Sequence, residues 1–497
     1  MRLADLAAGV RDAAVVAGGE AEIAAVTQDS RRAAPGALFV AVRGARADGH
    51  SFAAAAAAAG AAVAFERPVA LPAGTPCLRL PDTRTGLAEL AAALQGRPSR
   101  RLLVAGVTGT DGKTTTTHMA AHLLEAAGLA AGALSTVAFT LGGEAADNPT
   151  GLTTADAVEV QGQLARMAAA GARAAVVEAT SHALVQGRVA ACDFDVAAFT
   201  HVGRDHLDYH ATWEEYLAAK ARLIDLCAAG WRKGVPKTAI LNRDDEASWE
   251  ALAGRPIERR WSYSIRPGTA ADLRAEEVEC GAAGCRFRLR AGAGAAPVSL
   301  SMPARFNVSN ALCAAGIGVA LGLDLEAVAA GLSTFPGVRG RLEAVDLGQP
   351  FRVYVDFAHA AGALATALAE LRPLTAGRLL AVFGSTARSD HDRPGMGRAA
   401  ATGADRFWIT TDDPLDEDPA TIAGEVAAGA AGAEDRFEIV LDRRQAIRRA
   451  LALAGPGDAV LLAGKGHERT MITAQGKGPW DERAEAEAAL RELGFGS

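Results

Sequence analysis

Short apolar runs alternate with longer amphipathic stretches along most of this chain. Runs that end in polar or glycine residues stand at 102–107, 174–178, 196–201 and 238–242, with helix-period patterns between them. This order predicts a mainly parallel sheet wound by helices. The alternation resumes beyond a Gly- and Pro-rich stretch near 335–341, with strands predicted at 351–356, 379–384, 406–411, 437–441 and 459–463. Open sheets of this kind place their ligands at strand C-terminal ends. Ahead of both blocks, residues 1–98 read as a small α/β unit. A Pro35-Gly36 turn leads into a strand at 37–42, an Ala-rich helix starts at Ser51, and a strand follows at 61–65. The polar stretch 95–101 reads as a linker, and 260–302 as a locally all-β insertion or edge sheet. The expectation is an α/β fold in three domains, at 1–98, 99–335 and 336–497, the last Rossmann-like.

Composition narrows the classes. Half of the 497 residues are apolar, enough for several cores, and a net charge of −7 leaves no basic excess for nucleic acid. Six scattered cysteines predict reduced thiols, because a chain this long needs no staples. The Ala-rich stretch 52–65 is too short for a membrane span, and Arg2, Asp5, Arg11 and Asp12 break any signal-peptide core. A cytoplasmic monomer with no membrane partner is expected.

The strand at 102–107 ends in Thr108-Gly109-Thr110-Asp111-Gly112-Lys113-Thr114, and a helical pattern then runs to about Ala127. That order sets a glycine-rich turn at a helix N-terminus, where backbone N–H groups and the macrodipole face an anion. Gly109, Thr110 and Gly112 would shape the loop. Lys113 would meet the outer phosphates, and Thr114 or Thr115 could hold Mg2+ through a hydroxyl. Val107 stands where the first glycine of the usual phosphate loop would be. The strand at 174–178 ends in Glu178-Ala-Thr180-Ser181-His182, oxygen donors suited to a hard cation. Residues 201–210 pack three His, two Asp and one Arg into one loop, and Thr212 and Glu215 then open a helix in capping-box spacing. Taken alone, Lys220 on that helix reads as a solvated lysine.

The glycine-lysine-threonine loop, Glu178-x-x-Ser181-His182, Arg204-Asp-His206-Leu-Asp-Tyr-His210 and the downstream Lys220 together resemble the Mur ligases of peptidoglycan synthesis, the MurE type in particular. Near the front, Asp29-Ser30-Arg31, Pro35-Gly36 and Asp48-Gly49-His50 are similar to that family's uridine-nucleotide domain. Gly340-Arg341-Leu342-Glu343, Val355-Asp356-Phe357-Ala358-His359 and Gly464-Lys465-Gly466-His467-Glu468 are similar to its C-terminal domain. The resemblance implies an ATP-dependent ligase that joins an amino acid to a UDP-muramoyl-dipeptide through an acyl phosphate. It implies two Mg2+ sites and a carbamylated Lys220. Lys113, Lys220 and His206 would be catalytic; Thr115, Glu178, His206 and Lys220 would serve the metals. Asn310, Arg341 and Asp356 would hold the nucleotide, although Asn310 by itself also reads as a helix cap. Ser30, Thr153, Thr154, Thr180, Gln186 and Arg188 would contact the acceptor, and Arg388, Asp412, Asp413, Gly464 and Glu468 the incoming amino acid.

That last group departs from the family pattern. Diaminopimelate-adding members read Asp-Asn-Pro-Arg where this chain has Asp412-Asp413-Pro414-Leu415. Leu415 removes a guanidinium and Asp413 adds a carboxylate, which suits a side chain ending in an ammonium, such as lysine or ornithine. Two alternatives stay open: a paralogue with another amino acid or acceptor, and a nucleotide-gated binding module without catalysis.

Overall fold

The computed structural model describes residues 1–44, 47–142, 144–148, 152–203, 205, 209–387 and 392–496. Two compact units divide the chain: Met1–Ser264 with Gly268–Leu273 and Cys313–Gly331, and Ile265–Pro267 with Arg274–Leu312 and Leu332–Ser497. Among the described residues no helix is long and apolar enough to cross a membrane.

The first unit carries two sheets. Residues 1–98 supply a five-stranded one in the order Ala14–Ala17, Cys77–Arg79, Ala62–Phe65, Ala37–Val40, Ala25–Thr27, parallel except for the first pair. Its apolar faces are filled by Leu38, Val40, Leu78 and Leu87 on one side and Phe39 and Val63 on the other. The expected linker at 95–101 is a docked segment. Pro98–Arg100 forms a 3-10 turn in which buried Ser99 donates to Asp193 Oδ2 at 3.2 Å.

The second sheet is built around β1 (Leu103–Thr108), followed by α1 (Lys113–Ala126), β2 (Ala174–Glu178), β3 (Val196–Phe199) and α2 (Trp213–Ala229). β1 lies between β2 and β3, parallel to both, and Thr238–Asn242 and Arg259–Ser264 continue the parallel run beyond β3. Beyond β2 lie Ala131–Leu134, parallel to it, and the antiparallel strands Ala138–Leu141 and Glu144–Asp147, none of which the apolar pattern announced. β2 is buried along its whole length, as a strand covered by helices on both faces must be. The chain leaves β1 toward β2 on one side and returns to β3 on the other. The C-terminal end of β1 is therefore a topological switch point, where a crevice opens for ligand.

The second unit holds a six-stranded sheet in the order Glu343–Ala344, Arg352–Asp356, Ala459–Ala463, Leu379–Phe383, Arg406–Ile409, Phe437–Ile439, parallel apart from the short first strand. A hairpin, Thr470–Thr473 with Gly476–Pro479, stands beside it in sequence. The predicted all-β stretch forms Leu273–Gly281, Gly284–Ala291 and Gly294–Leu300. Here one expectation fails: Cys280 and Cys285 are joined in a disulfide rather than held as thiols. The two flank the turn between neighbouring strands, which brings their Cα atoms to 4.1 Å. The other four cysteines are free and buried.

Candidate active site

The phosphate loop takes its shape from contacts at the end of β3. Gly109 has φ +151°, and a Cβ there would stand 1.9 Å from Thr200 Oγ1. No other residue fits that approach. Thr200 in turn donates to Thr108 O and Asp111 O, at 3.1 and 2.6 Å, and Thr110 N donates to His201 O at 2.6 Å. These bonds end β3 at Phe199, short of the predicted His201. Gly112 caps α1, so Lys113, Thr114 and Thr115 open the helix with first-turn N–H groups that have no intrahelical acceptor. Lys113 Nζ donates to Thr110 O at 2.6 Å, which keeps the ammonium over the loop.

Glu178, at the end of β2 and buried, faces that turn. Both its oxygens accept from Thr114 Oγ1, at 3.1 and 3.0 Å, and Oε2 also accepts from Thr136 N and Oγ1, at 3.1 and 3.2 Å. The hydroxyl that meets Glu178 is therefore that of Thr114, while Thr115 is buried on the same turn. Thr136 is a member of this cradle that the sequence did not signal. A buried carboxylate flanked by two hydroxyls is an all-oxygen donor set, and it fits Mg2+.

Lys220, on α2, is buried to 1% exposure and donates to Gly109 O at 2.6 Å. Burial, with the Lys113 charge close by, drives its amine well below the usual lysine range. Its side chain therefore reaches the phosphate loop, which the reading of α2 in isolation as a solvated helix did not foresee. His201, with Nδ1 3.4 Å from Asp245 Oδ2, is held above the usual histidine range by that contact. His206 and Arg388 lie outside the described residues.

The predicted acceptor contacts gather beside Glu178. Arg188 donates from Nη1 to Thr154 O at 2.8 Å and from Nη2 to Gln186 Oε1 at 2.7 Å. Thr154 Oγ1 donates to Glu178 O at 2.8 Å and accepts from Thr180 N at 3.1 Å. Thr153 and Thr154 line a water-sized void of about 10 Å³ against Glu178. Ser30 sits half-buried on the N-terminal block's Ser30–Arg32 turn, which Asp29 caps.

The second unit holds the remaining predicted residues. Asn310 lies inside the helix Arg305–Ala320 and donates to Asn307 Oδ1 at 3.2 Å, so it is no helix cap. Asp356 accepts from Leu342 N and Ala358 N, at 2.7 and 2.8 Å, and Arg341 lies 4.8 Å over the Phe357 ring. His467 packs on the same ring at 4.8 Å; burial and the neighbouring Arg341 push its pKa down to about 3.

Asp412, Asp413 and Glu468 surround a residue given no role from sequence. Lys465, fully buried, donates to Asp413 Oδ1 at 2.8 Å and to Glu468 Oε2 at 2.5 Å, with Asp412 Oδ1 at 3.8 Å. Burial opposes its charge, but the three carboxylates together hold the ammonium above its usual range. Asp413 Oδ1 also accepts from Ile472 N at 2.8 Å, so this carboxylate ties down the hairpin as well as adding charge. Asp412 Oδ2 is buried with no hydrogen-bond partner, and burial pushes the Asp412 carboxyl up to about 7. Gly464, at φ +111°, leaves that oxygen room: a Cβ there would lie 2.2 Å from it. Neighbouring Arg443 pairs with Glu482, Nη2 to Oε1 2.7 Å, and together with Lys465 it brings positive charge to Asp412.

Comparison with known proteins extends over the same residues. The Mur ligase family catalytic domain matches 22–94, the Mur ligase middle domain 107–318, and the Mur ligase glutamate ligase domain 340–466. A UDP-N-acetylmuramyl-tripeptide synthetase of Roseiflexus sp. (strain RS-1) is 45% identical over 491 residues, covering 96% of each chain. A UDP-N-acetylmuramoyl-L-alanyl-D-glutamate–2,6-diaminopimelate ligase of Geobacillus kaustophilus is 39% identical, again covering 96% of each. A solved structure of a ligase of that second name superposes with a TM-score of 0.70 at 29% identity, over 100% of this chain and 99% of that one. Likeness at this level from one end to the other leaves no segment to an unrelated fold, and the chain belongs to the Mur ligase family.

Proposed function

We propose that this protein is an ATP-dependent ligase that adds an amino acid to UDP-N-acetylmuramoyl-L-alanyl-D-glutamate in peptidoglycan precursor synthesis. The observation that carries the reading is the gathering of Lys113, Thr114, Glu178 and Lys220 at one end of the β1–β2–β3 sheet. The name of the Geobacillus kaustophilus relative carries this acceptor, and the cytoplasm is where the reaction would run. The three-domain division at 1–98, 99–335 and 336–497 stays part of this proposal.

The chemistry proceeds in two steps. The acceptor's free carboxylate attacks the γ-phosphorus of ATP, giving an acyl phosphate and ADP. The amine of the incoming amino acid then attacks the acyl carbon through a tetrahedral intermediate, loses a proton, and phosphate leaves. Negative charge builds first on the transferring phosphoryl group and then on the oxyanion. Lys113 and the first-turn N–H groups of α1 face that charge and act by position and electrostatics, with no protein nucleophile. Mg2+ held by Glu178 with the Thr114 or Thr115 hydroxyl would neutralise phosphate charge. The resemblance assigns His206 and a carbamylated Lys220 to the second metal. The amine lone pair of Lys220 adds to carbon dioxide, a C=O electron pair moves to oxygen, and one N–H proton passes to solvent. Arg188, splinted by Gln186 and Thr154, is set to pair with an acceptor carboxylate.

For the amino acid, the acidic group at Asp412, Asp413 and Glu468 favours a side chain ending in an ammonium, lysine or ornithine, over diaminopimelate. The test is ADP and phosphate release that requires both the UDP-muramoyl-dipeptide and an amino acid. Intact ATP binding with silence for every amino acid tried would favour the non-catalytic module.

A further inference from the structure

We propose that Tyr216 is a positioning residue which, with the Gly109 carbonyl, seats the Lys220 nitrogen in the form its carbamate takes. The inference rests on the carbamate reading above. Tyr216 and Lys220 are one turn apart on α2 and both are buried to 1% exposure. The Lys220 nitrogen lies 4.2 Å from the centroid of the Tyr216 ring, and Gly109 O accepts from it at 2.6 Å. The ring is itself fixed. Tyr216 Oη and Thr110 Oγ1 are hydrogen-bonded at 3.0 Å, and the His210 ring packs edgewise at 5.3 Å. Tyr209 and His182 extend the stack, with Tyr209 4.9 Å from His210 and 4.1 Å from His182.

The ring face attracts an ammonium as well, so the donor count is what favours one form of the nitrogen over the others. An ammonium offers three N–H donors and a neutral amine two. Among the described residues the Lys220 nitrogen has one hydrogen-bond acceptor, Gly109 O. A buried donor left unmet costs about 1–3 kcal/mol. A carbamate nitrogen is planar and keeps a single N–H, so one carbonyl satisfies it, and a flat group suits an aromatic wall. Because Thr110 belongs to the phosphate loop, the ring also joins the seat to the segment that would hold ATP.

The experiment uses the full-length protein loaded with 13C-bicarbonate, comparing wild type, Tyr216→Leu and Tyr216→Phe. Two readouts are taken: the carbamate carbon resonance, and kcat with and without added bicarbonate. Tyr216→Leu is expected to lose most of the carbamate signal and about tenfold in kcat at ambient carbon dioxide, with part of the rate returning on added bicarbonate. Tyr216→Phe keeps the ring and is expected to keep the carbamate signal. If Tyr216→Leu does not fold, Tyr216→Met, flexible and unbranched, carries the same expectations. A folded variant without the ring that retains the full carbamate signal overturns the seat alone. A wild-type spectrum with no carbamate carbon overturns the carbamate reading and this inference with it.

Discussion

Leu415→Arg tests the amino-acid half most directly. Leu415 is half-buried at φ 52°, with its backbone N–H bonded to Ile472 O at 3.2 Å. Arginine carries the same Cβ constraint, so the backbone has no new reason to move. What changes is charge. Asp412, Asp413 and Glu468 face Lys465, Arg443 adds positive charge at Asp412 and Asp413, and a guanidinium at 415 would cancel more of the negative charge. One unit charge at about 6 Å in an effective dielectric near 20 is worth about 3 kcal/mol. Glu468 is 36% exposed, so water screens part of this and about 1–2 kcal/mol is the fair expectation. The same guanidinium can pair with the distal carboxylate of diaminopimelate, a charge-assisted contact absent from the wild type. The ratio of kcat/KM for diaminopimelate to that for lysine should therefore rise about tenfold or more. The assay is ADP release at fixed UDP-muramoyl-dipeptide and ATP, with each amino acid varied in turn. A ratio that stays within about twofold of wild type would show that position 415 does not read the side chain.

Three further outcomes are expected. Lys220→Ala should abolish measurable turnover, with short carboxylates restoring part of it; a mutant within about tenfold of the normal rate, only ~1.4 kcal/mol of barrier, would remove Lys220 from the mechanism. Thr114→Ala should lose about 100-fold in kcat and raise the Mg2+ requirement more than Thr115→Ala does, since Thr114 is the hydroxyl on Glu178, and the reverse order would assign the cation to Thr115. Burial lifts the Asp412 carboxyl to about 7, so its anionic form grows in as pH rises past that point. KM for lysine should then fall between about pH 6 and 8, and Asp412→Asn should flatten that slope; parallel profiles for the two proteins would refute the role.

Much of the fold is legible in the apolar pattern because buried parallel strands are continuous apolar runs. The strands at 174–178, 238–242 and 459–463 form at the predicted bounds. Where the bounds shift, a tertiary contact is the cause: the strand at 196–201 stops at Phe199 because Thr200 and His201 turn to hold the phosphate loop. The antiparallel strands at 138–141 and 144–147 escaped because they are short and half exposed or interrupted by polar residues. The disulfide was missed for a different reason. Cysteine count and chain length both point to thiols, whereas the glycines at 281 and 284, which mark a turn between Cys280 and Cys285, point to pairing.

The site divides along the same line. Residues whose role is local, such as the loop glycines and Lys113, declare themselves by spacing, because a turn before a helix can be built in few ways. Residues whose role depends on a partner far along the chain do not. Thr114 and Thr115 are adjacent hydroxyls on one helical turn, and only the phase of α1 against β2 decides which one meets Glu178. Asp413 looks like an added charge for the ligand until Lys465, 52 residues on, is found bonded to it. The net charge that an incoming side chain meets is therefore a property of the folded cluster. Of its three carboxyls, only Asp412 keeps an oxygen that is both buried and unpartnered. A ligand ammonium would gain most there, since a buried acceptor without a donor is the costliest group to leave as it stands. On the proposed function, selectivity would turn on Asp412 and on the room that Gly464 leaves beside it, more than on the carboxylate of Asp413. Asp413→Asn should accordingly change lysine use less than Asp412→Asn does.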